Sequence, residues 1–550
     1  MQKLSGSPAT LDLALEDMVV SHLLTRRSLE IPDRPLVVFA GGATLTFAEA
    51  ETRAARLAAN LRAIVMKDEF VGLFLPNSPE FVSCYFALSR LGAVTVPINT
   101  AYKGYMLEYL LRDTRCGLAF VDRGLLDRMM DVERSVPQLR ALIVTGANQK
   151  DVAKEQQGFE RLRLVAYADI AGDASDVTWE GEAQEGPRVR FEDVSCIIYT
   201  SGTTGPSKGV PITNAHAIVK ALEVIRICQY AKGDVVYSPL PLFHSMALLR
   251  GVVASVVSGT TIVLRDRFSA SQFWGDVRKF GITIVHCVFT IPRILKKAPP
   301  GPGDRSHHVR CMYNAQHDPE FEERFGIRLV EGYGLTEAGV AMYVRPEDPP
   351  RPGSCGRVSE EWEVRLVDDN GSDVGVGQVG EVLLRPKKPF RIMPGYLNKP
   401  EVTLQSFRDL WFHTGDLAMV DAEGFYYFKD RKKDAIRRRG ENISSWEVER
   451  ILVEHPAVEE AAAVAHPSSL GEDELRVVVV RRPGVLLTAE ELVAYCVKRM
   501  PDFMVPRYIE FRSELPKTPT GRVEKHLLRA EGLAPDHMDR GEWSPRRRGP

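Results

Sequence analysis

The chain has 550 residues, 44% of them apolar and 26% charged. That is more than one hydrophobic core fills, because single cores stop growing at roughly 250–300 residues, so several domains are expected. With 71 lysines and arginines against 73 aspartates and glutamates, the near-zero net charge argues against bulk electrostatic capture of nucleic acid or of an anionic membrane.

The first apolar stretch is interrupted by Asp12, Glu16 and Asp17, so it is not a secretory signal. Residues 46–66 repeat apolar positions at helical spacing and predict an amphipathic helix. A short apolar run at 71–75 reads as a buried strand, 81–93 as a helix stopping near Gly92, and 94–99 as a strand. This rhythm implies an α/β fold with a parallel sheet. It continues with strands at 141–145, 196–200, 235–240, 261–266 and 283–288. The longest apolar run, 251–264, is too short to span a bilayer and reads as core, leaving no transmembrane segment. From about residue 360, short alternating segments with Gly and Asp turns predict a small β-rich subdomain.

After Asp430 a compact helix–strand–strand–helix–strand pattern predicts a small C-terminal α/β domain. The expected division is a large N-terminal domain of parallel-sheet subdomains (1–429), the small domain (430–537) and an Arg/Pro/Gly-rich disordered tail (538–550). Eight scattered cysteines without a CxxC pair predict reduced, mostly buried thiols and a cytoplasmic protein. Twelve histidines without HExxH spacing indicate no metal cage.

The sharpest local signal is 199–209, YTSGTTGPSKG, directly after an apolar strand. Gly202 and Gly205 let backbone amides approach an anion. The hydroxyls of Thr200, Ser201, Thr203, Thr204 and Ser207, with Lys208, can donate to phosphate oxygens. Lys208 is followed by Gly209 rather than Ser or Thr, so this is not a Walker A loop. A linker has similar composition but does not normally abut a buried strand; a phosphate loop is therefore predicted.

This loop resembles the signature of the adenylate-forming superfamily, which includes acyl-CoA synthetases, peptide-synthetase adenylation domains and beetle luciferases. Four further segments resemble the family's elements in order: Gly332-Tyr-Gly-Leu-Thr-Glu337, Phe412-His-Thr-Gly-Asp416, Asp430-Arg-Lys-Lys-Asp434 with Arg439-Gly-Glu-Asn-Ile443, and the lysine element 516–525. The resemblance implies ATP-dependent activation of a carboxylic acid as its acyl-adenylate with release of pyrophosphate, then thioester formation with coenzyme A. It implies catalytic roles for Lys208, Thr336, Glu337 and Lys525. The chemistry needs cations between two mutually repelling anions, and Glu337 is an oxygen ligand suited to Mg²⁺.

By the same resemblance, Tyr333 stacks on adenine, and Asp416 and Arg431 hold the ribose. Lys433 is the hinge about which the small domain rotates, bringing Lys525 in for one step and Gly440 and Glu441 to the thiol side for the next. His244, Asn314, Ala315 and Gly334 are expected on the acyl side. The apolar neighbours Leu242, Met246, Leu248, Leu249, Val288 and Ile291 suggest a hydrophobic acid. Asn314 departs from the family, which has a Gly-rich stretch there, and adds bulk beside the acyl carboxylate.

The acceptor reads as coenzyme A because no carrier domain is fused and 437–444 resembles the acyl-CoA synthetase element. The rivals are a stand-alone adenylating enzyme serving a carrier protein or second ligase, a luciferase-like oxygenase, and a non-catalytic nucleotide sensor. A homodimer is left open.

Overall fold

The computed structural model describes residues 13–172, 188–200, 206–288, 290–315, 317–349, 351–431, 435–469, 471–516 and 523–541. Among them, two seven-stranded sheets form the body of the large domain. One runs Arg163–Ala166, Ala141–Thr145, Leu118–Asp122, Phe70–Phe74, Val94–Pro97, Val194–Thr200 and Lys208–Thr213, parallel throughout except for the last pair. The other runs Arg328–Val330, Cys311–Tyr313, Ile284–His286, Val235–Ser238, Thr261–Leu264, Pro35–Phe39 and Thr44–Thr46, again with only the last pair antiparallel.

The apolar runs are continuous because both faces of these strands are covered. In the first sheet Val71, Leu73, Leu118 and Phe120 turn toward a core shared with Val37, Val236 and Ile262 of the second sheet. Their alternates Phe74, Ala119 and Val121 face a separate core with Leu107, Leu126 and Met129. Three helices, Phe47–Leu61, Pro79–Leu91 and Asn214–Ile227, contribute to the shared core. Their limits follow from local chemistry. Thr46 and Glu49 close a reciprocal capping box on the first. The second starts with the Ser78 side chain accepting from the Phe81 N–H and Pro79 in its first turn, and stops at Gly92, where φ is +65°.

The β-rich part is an antiparallel sheet of Trp362–Val367, Val379–Pro386, Trp411–Val420 and Phe407–Arg408, with Tyr426–Arg431 paired to Trp411–Val420. A small sheet of Gly332–Gly334, Val340–Tyr343 and Arg357–Val358 adjoins it in sequence. The C-terminal part has its own core, including Ile443, Val448, Val477, Leu492 and Ile509. It comprises the hairpin Ala435–Arg438/Glu441–Ser444, the helices Ser445–Val453, Ala489–Arg499 and Lys525–Glu531, and the sheet Val458–Pro467, Asp473–Arg481, Tyr508–Arg512, Met538–Asp539.

That last strand corrects the expected tail. Met538 and Asp539 pair with Ile509 and Tyr508, and the Asp539 carboxylate meets Arg507 at 3.0 Å; ladder bonds and an ion pair order a segment whose composition alone read as disordered. Residues 542–550 lie outside the described residues. All eight cysteines are buried and free. No helix among the described residues is long and apolar enough to cross a membrane.

Candidate active site

Strand Val194–Thr200 turns back into Lys208–Thr213 with Thr200 opposite Lys208, so the two ends of the predicted phosphate loop lie side by side. Ser201, Gly202, Thr203, Thr204 and Gly205 lie outside the described residues. The Thr200 hydroxyl donates to the Glu337 carboxylate at 3.4 Å, and the Tyr396 hydroxyl donates to the same oxygen at 2.9 Å. The Lys208 ammonium sits over the Tyr396 ring, 4.5 Å from its centre. The segment carrying Tyr396 is tied to both loops, by Met393 N–H to the Glu337 carbonyl (2.8 Å) and Leu397 N–H to the Gly209 carbonyl (2.9 Å). Sequence reasoning missed Tyr396, which belongs to none of the segments singled out.

Four residues before Glu337, the Tyr333 hydroxyl donates to Asp416 at 2.7 Å. Asp416 is only 3% exposed. Gly415, at φ +72°, lies at a register irregularity within strand Trp411–Val420 just before Asp416, and the Asp416 N–H is held by the Thr414 hydroxyl at 3.1 Å. Asp416 is in register with Arg431 on the neighbouring strand; the Arg431 side chain lies outside the described atoms.

Beneath this loop lies a second residue that sequence reasoning missed. Lys220, fully buried on helix Asn214–Ile227, donates to the carbonyls of Leu335 (3.3 Å) and Ala338, which flank Thr336 and Glu337. Burial, and secondarily Arg250, push its pKa down to about 7, against the opposing pull of Glu223 and Glu337.

A cavity of about 240 Å³ opens beside the loop, with Thr200, Met246, Val288, Asn314 and Thr336 in its wall. His244 lines it too. Asn314 adopts φ +65°, a left-handed conformation that glycine or asparagine takes most readily, and its amide donates to the Cys287 carbonyl at 3.1 Å. The added bulk is thus turned onto the backbone.

Two other residues expected on the acyl side are not in the cavity wall. Ala315 is fully buried in the core with Val285, Cys287 and Met312, away from the cavity wall. Gly334 is exposed and serves a backbone approach, since a Cβ there would lie 2.9 Å from the Gly339 carbonyl oxygen. Leu242, Leu248, Leu249 and Ile291 are each at most 1% exposed, so their apolar character belongs to the core and not to a substrate. Of that apolar group, Met246 and Val288 line the cavity.

The far wall of the cavity comes from the C-terminal part. The turn of hairpin Ala435–Arg438/Glu441–Ser444 enters it, with Gly440 at φ +81° so close to Val288 that a Cβ would stand 2.9 Å from a Val288 methyl. The Glu441 carboxylate meets His244 Nε2 at 3.0 Å. Burial opposes the charged imidazole, but the Glu441 charge outweighs it and the His244 pKa is raised. Met106, Tyr102 and Tyr105 of the large domain pack into the C-terminal core.

Lys525 is held elsewhere. Its ammonium donates to Ser445 at 2.7 Å and pairs with Glu449 at 2.7 Å, both within its own domain. The structure therefore joins Thr200, Lys208 and Glu337 through Tyr396, pairs Tyr333 with Asp416, lines one cavity with Thr200, Thr336, His244, Asn314, Gly440 and Glu441, and leaves Lys525 apart. Lys433 lies outside the described residues.

The AMP-binding enzyme family matches residues 24–397, and the AMP-binding enzyme C-terminal domain matches 447–522. A crotonobetaine/carnitine–CoA ligase of Escherichia fergusonii is 31% identical over 481 residues, covering 84% of this chain and 89% of that protein. A double mutant of the o-succinylbenzoate CoA synthetase of Bacillus subtilis, bound with its product analogue OSB-NCoA, is 25% identical with a TM-score of 0.76, covering 92% of this chain and 98% of that one. The same synthetase in complex with AMP is also 25% identical but has a TM-score of 0.62, covering 92% and 97%. The chain belongs to the AMP-binding enzyme family and is an adenylate-forming enzyme of the acyl-CoA synthetase type, with the parallel-sheet body, β-rich subdomain and C-terminal domain of that superfamily.

Proposed function

We propose that the protein joins a carboxylic acid to coenzyme A in two steps at one cleft. In the first, an acid oxygen bonds to the α-phosphorus of ATP and pyrophosphate leaves. In the second, the sulfur of coenzyme A bonds to the acyl carbon, AMP leaves and the thiol proton is lost.

The observation that carries this reading is the shared cavity. Thr200 and Thr336 from the nucleotide side and Gly440 and Glu441 from the C-terminal domain line the same space. On this reading Tyr333 and Asp416 hold the adenosine, while Lys208 and Thr200 meet the triphosphate. Lys525, now 2.7 Å from Glu449, enters only for the first step. The higher TM-score against the OSB-NCoA complex than against the AMP complex of one synthetase supports a domain arrangement suited to the second step. The apolar cavity residues Leu240, Phe243, Met246 and Val288 favour an acid with an apolar body.

No group of three His, Cys, Asp or Glu residues placed to hold a metal ion occurs among the described residues. Glu337, the carboxylate beside Thr200 and Tyr396, instead suits Mg²⁺ held by one side chain and substrate phosphates. When bound, the ion neutralises phosphate charge. Substituting Glu337→Gln should raise the Mg²⁺ concentration needed for half-maximal pyrophosphate release, and an unchanged titration would contradict the assignment.

The activity is tested by screening a panel of acids for acid-dependent pyrophosphate release, then adding coenzyme A and detecting the thioester by mass spectrometry. Release followed by transfer only to a carrier protein would replace coenzyme A as acceptor. ATP binding with no release for any acid would refute the ligase reading.

A further inference from the structure

In the wall of the same cavity, one buried carboxylate crosses between the two domains without an assigned role. Glu447, in the first turn of helix Ser445–Val453, is 3% exposed. Its Oε1 accepts two hydrogen bonds from a single residue of the phosphate loop, the Ser207 N–H at 2.9 Å and the Ser207 hydroxyl at 2.7 Å. Ser207 is itself 4% exposed, and its carbonyl accepts from Tyr109 at 3.0 Å. No ion pair to Glu447 occurs among the described residues, and burial raises its pKa. A backbone N–H and an adjacent hydroxyl converging on one oxygen are the donors a phosphate would take, and Lys208 is the next residue.

We propose that Glu447 is an internal substitute for a phosphate of ATP, occupying the Ser207 donors when the C-terminal domain is seated as it is here. This rests on the reading that the 199–209 loop takes the triphosphate. Seating and polyphosphate binding then exclude one another. The carboxylate fills the donors, seals Ser207 from solvent and would repel a polyphosphate arriving at Lys208. Two neutral donors compensate a buried charge poorly, so a polyphosphate displaces it readily. The domain arrangement that suits thioester formation thus becomes available when pyrophosphate has gone, and Glu447 is a positioning residue for the order of the two steps.

The test is calorimetric titration of the full chain with ATP and, separately, with AMP, which lacks the competing phosphates, in the absence of acid and coenzyme A. Removing the internal competitor should tighten ATP by at least about fivefold in Glu447→Ala while AMP stays within about twofold of wild type, since apparent affinity scales with the fraction of competent protein. Tripolyphosphate should follow ATP. An unchanged ratio of ATP to AMP affinity, or equal tightening of both, overturns the proposal.

Glu447→Gln keeps an acceptor oxygen but not the charge. It should give a smaller shift in the same direction, and it carries the comparison if the alanine variant does not fold. A protein that shows the ATP-specific shift yet releases no pyrophosphate with any acid keeps this inference and loses the synthetase reading. One that makes thioester without the shift loses this inference alone.

Discussion

On the nucleotide side of the cleft, Tyr333 meets Asp416 at 2.7 Å, Tyr396 meets Glu337 at 2.9 Å, and buried Lys220 supports the loop between them; every partner belongs to the large domain. On the C-terminal side, Glu441 meets His244 at 3.0 Å and Glu447 meets Ser207 at 2.7 Å, both across the domain boundary, while Lys525 is tied to Glu449 within its own domain. On the proposed two-step reading, the first set would stay in place through both reactions and the second would be exchanged between them, with groups needed throughout fixed by burial within one chain unit and groups needed once carried on a face that can leave.

The largest test of that contrast is Lys525→Ala. Acid-dependent pyrophosphate release should fall on the order of 10²- to 10³-fold, the loss seen when one charge-stabilising donor is removed. Supplied acyl-adenylate should still react with coenzyme A at close to the wild-type rate; equal loss in both assays would erase the distinction between the two sides. A smaller effect is expected from Glu449→Gln, which weakens the contact holding Lys525 aside. A partly exposed pair contributes roughly 0.5–1 kcal/mol, so pyrophosphate release should quicken by about two- to fivefold with thioester formation unchanged. A slower first step would mean that the pair aligns Lys525 for entry instead of retaining it.

The smallest effect concerns the fixed side. Glu331, 6% exposed and immediately before Gly332, has a buried oxygen without a hydrogen-bond partner, and burial raises its pKa to about 7. A folded-state pKa above the unfolded one of about 4.3 disfavours folding progressively between those values and fully above pH 7. Glu331→Gln should therefore raise the Tm by roughly 2–4 °C at pH 8 and leave it unchanged at pH 4, by differential scanning calorimetry. A gain equal at both pH values would show that charge is not the cause.

Much of this was legible in the sequence because the signals are local. Gly92 marks the end of one helix, and the strand preceding the predicted phosphate loop is a plain apolar run. Of the motif residues, Lys208 and Glu337 meet through Tyr396, and Tyr333 meets Asp416. What was not legible depends on tertiary distance. Lys220 reaches a carbonyl 118 positions away, and Ser207 and Glu447 are separated by 240, with no spacing that could announce either pair. Apolar composition also cannot separate a core from a substrate wall, which is why Leu248 and Leu249 were assigned to the wrong one. The location of Lys525 depends on tertiary distance in the same way, since its partners Ser445 and Glu449 lie 80 and 76 positions away.

Gly440 carries a last consequence. Its backbone lies close to Val288, so the cavity takes one wall from the C-terminal part. On the proposed two-step reading, the room available to an acid would be gauged twice, once by the open large domain and again when the hairpin closes on whatever has been loaded. An oversized acid would be accepted at the first gauging and betray itself at the second, as a turn that cannot come to rest.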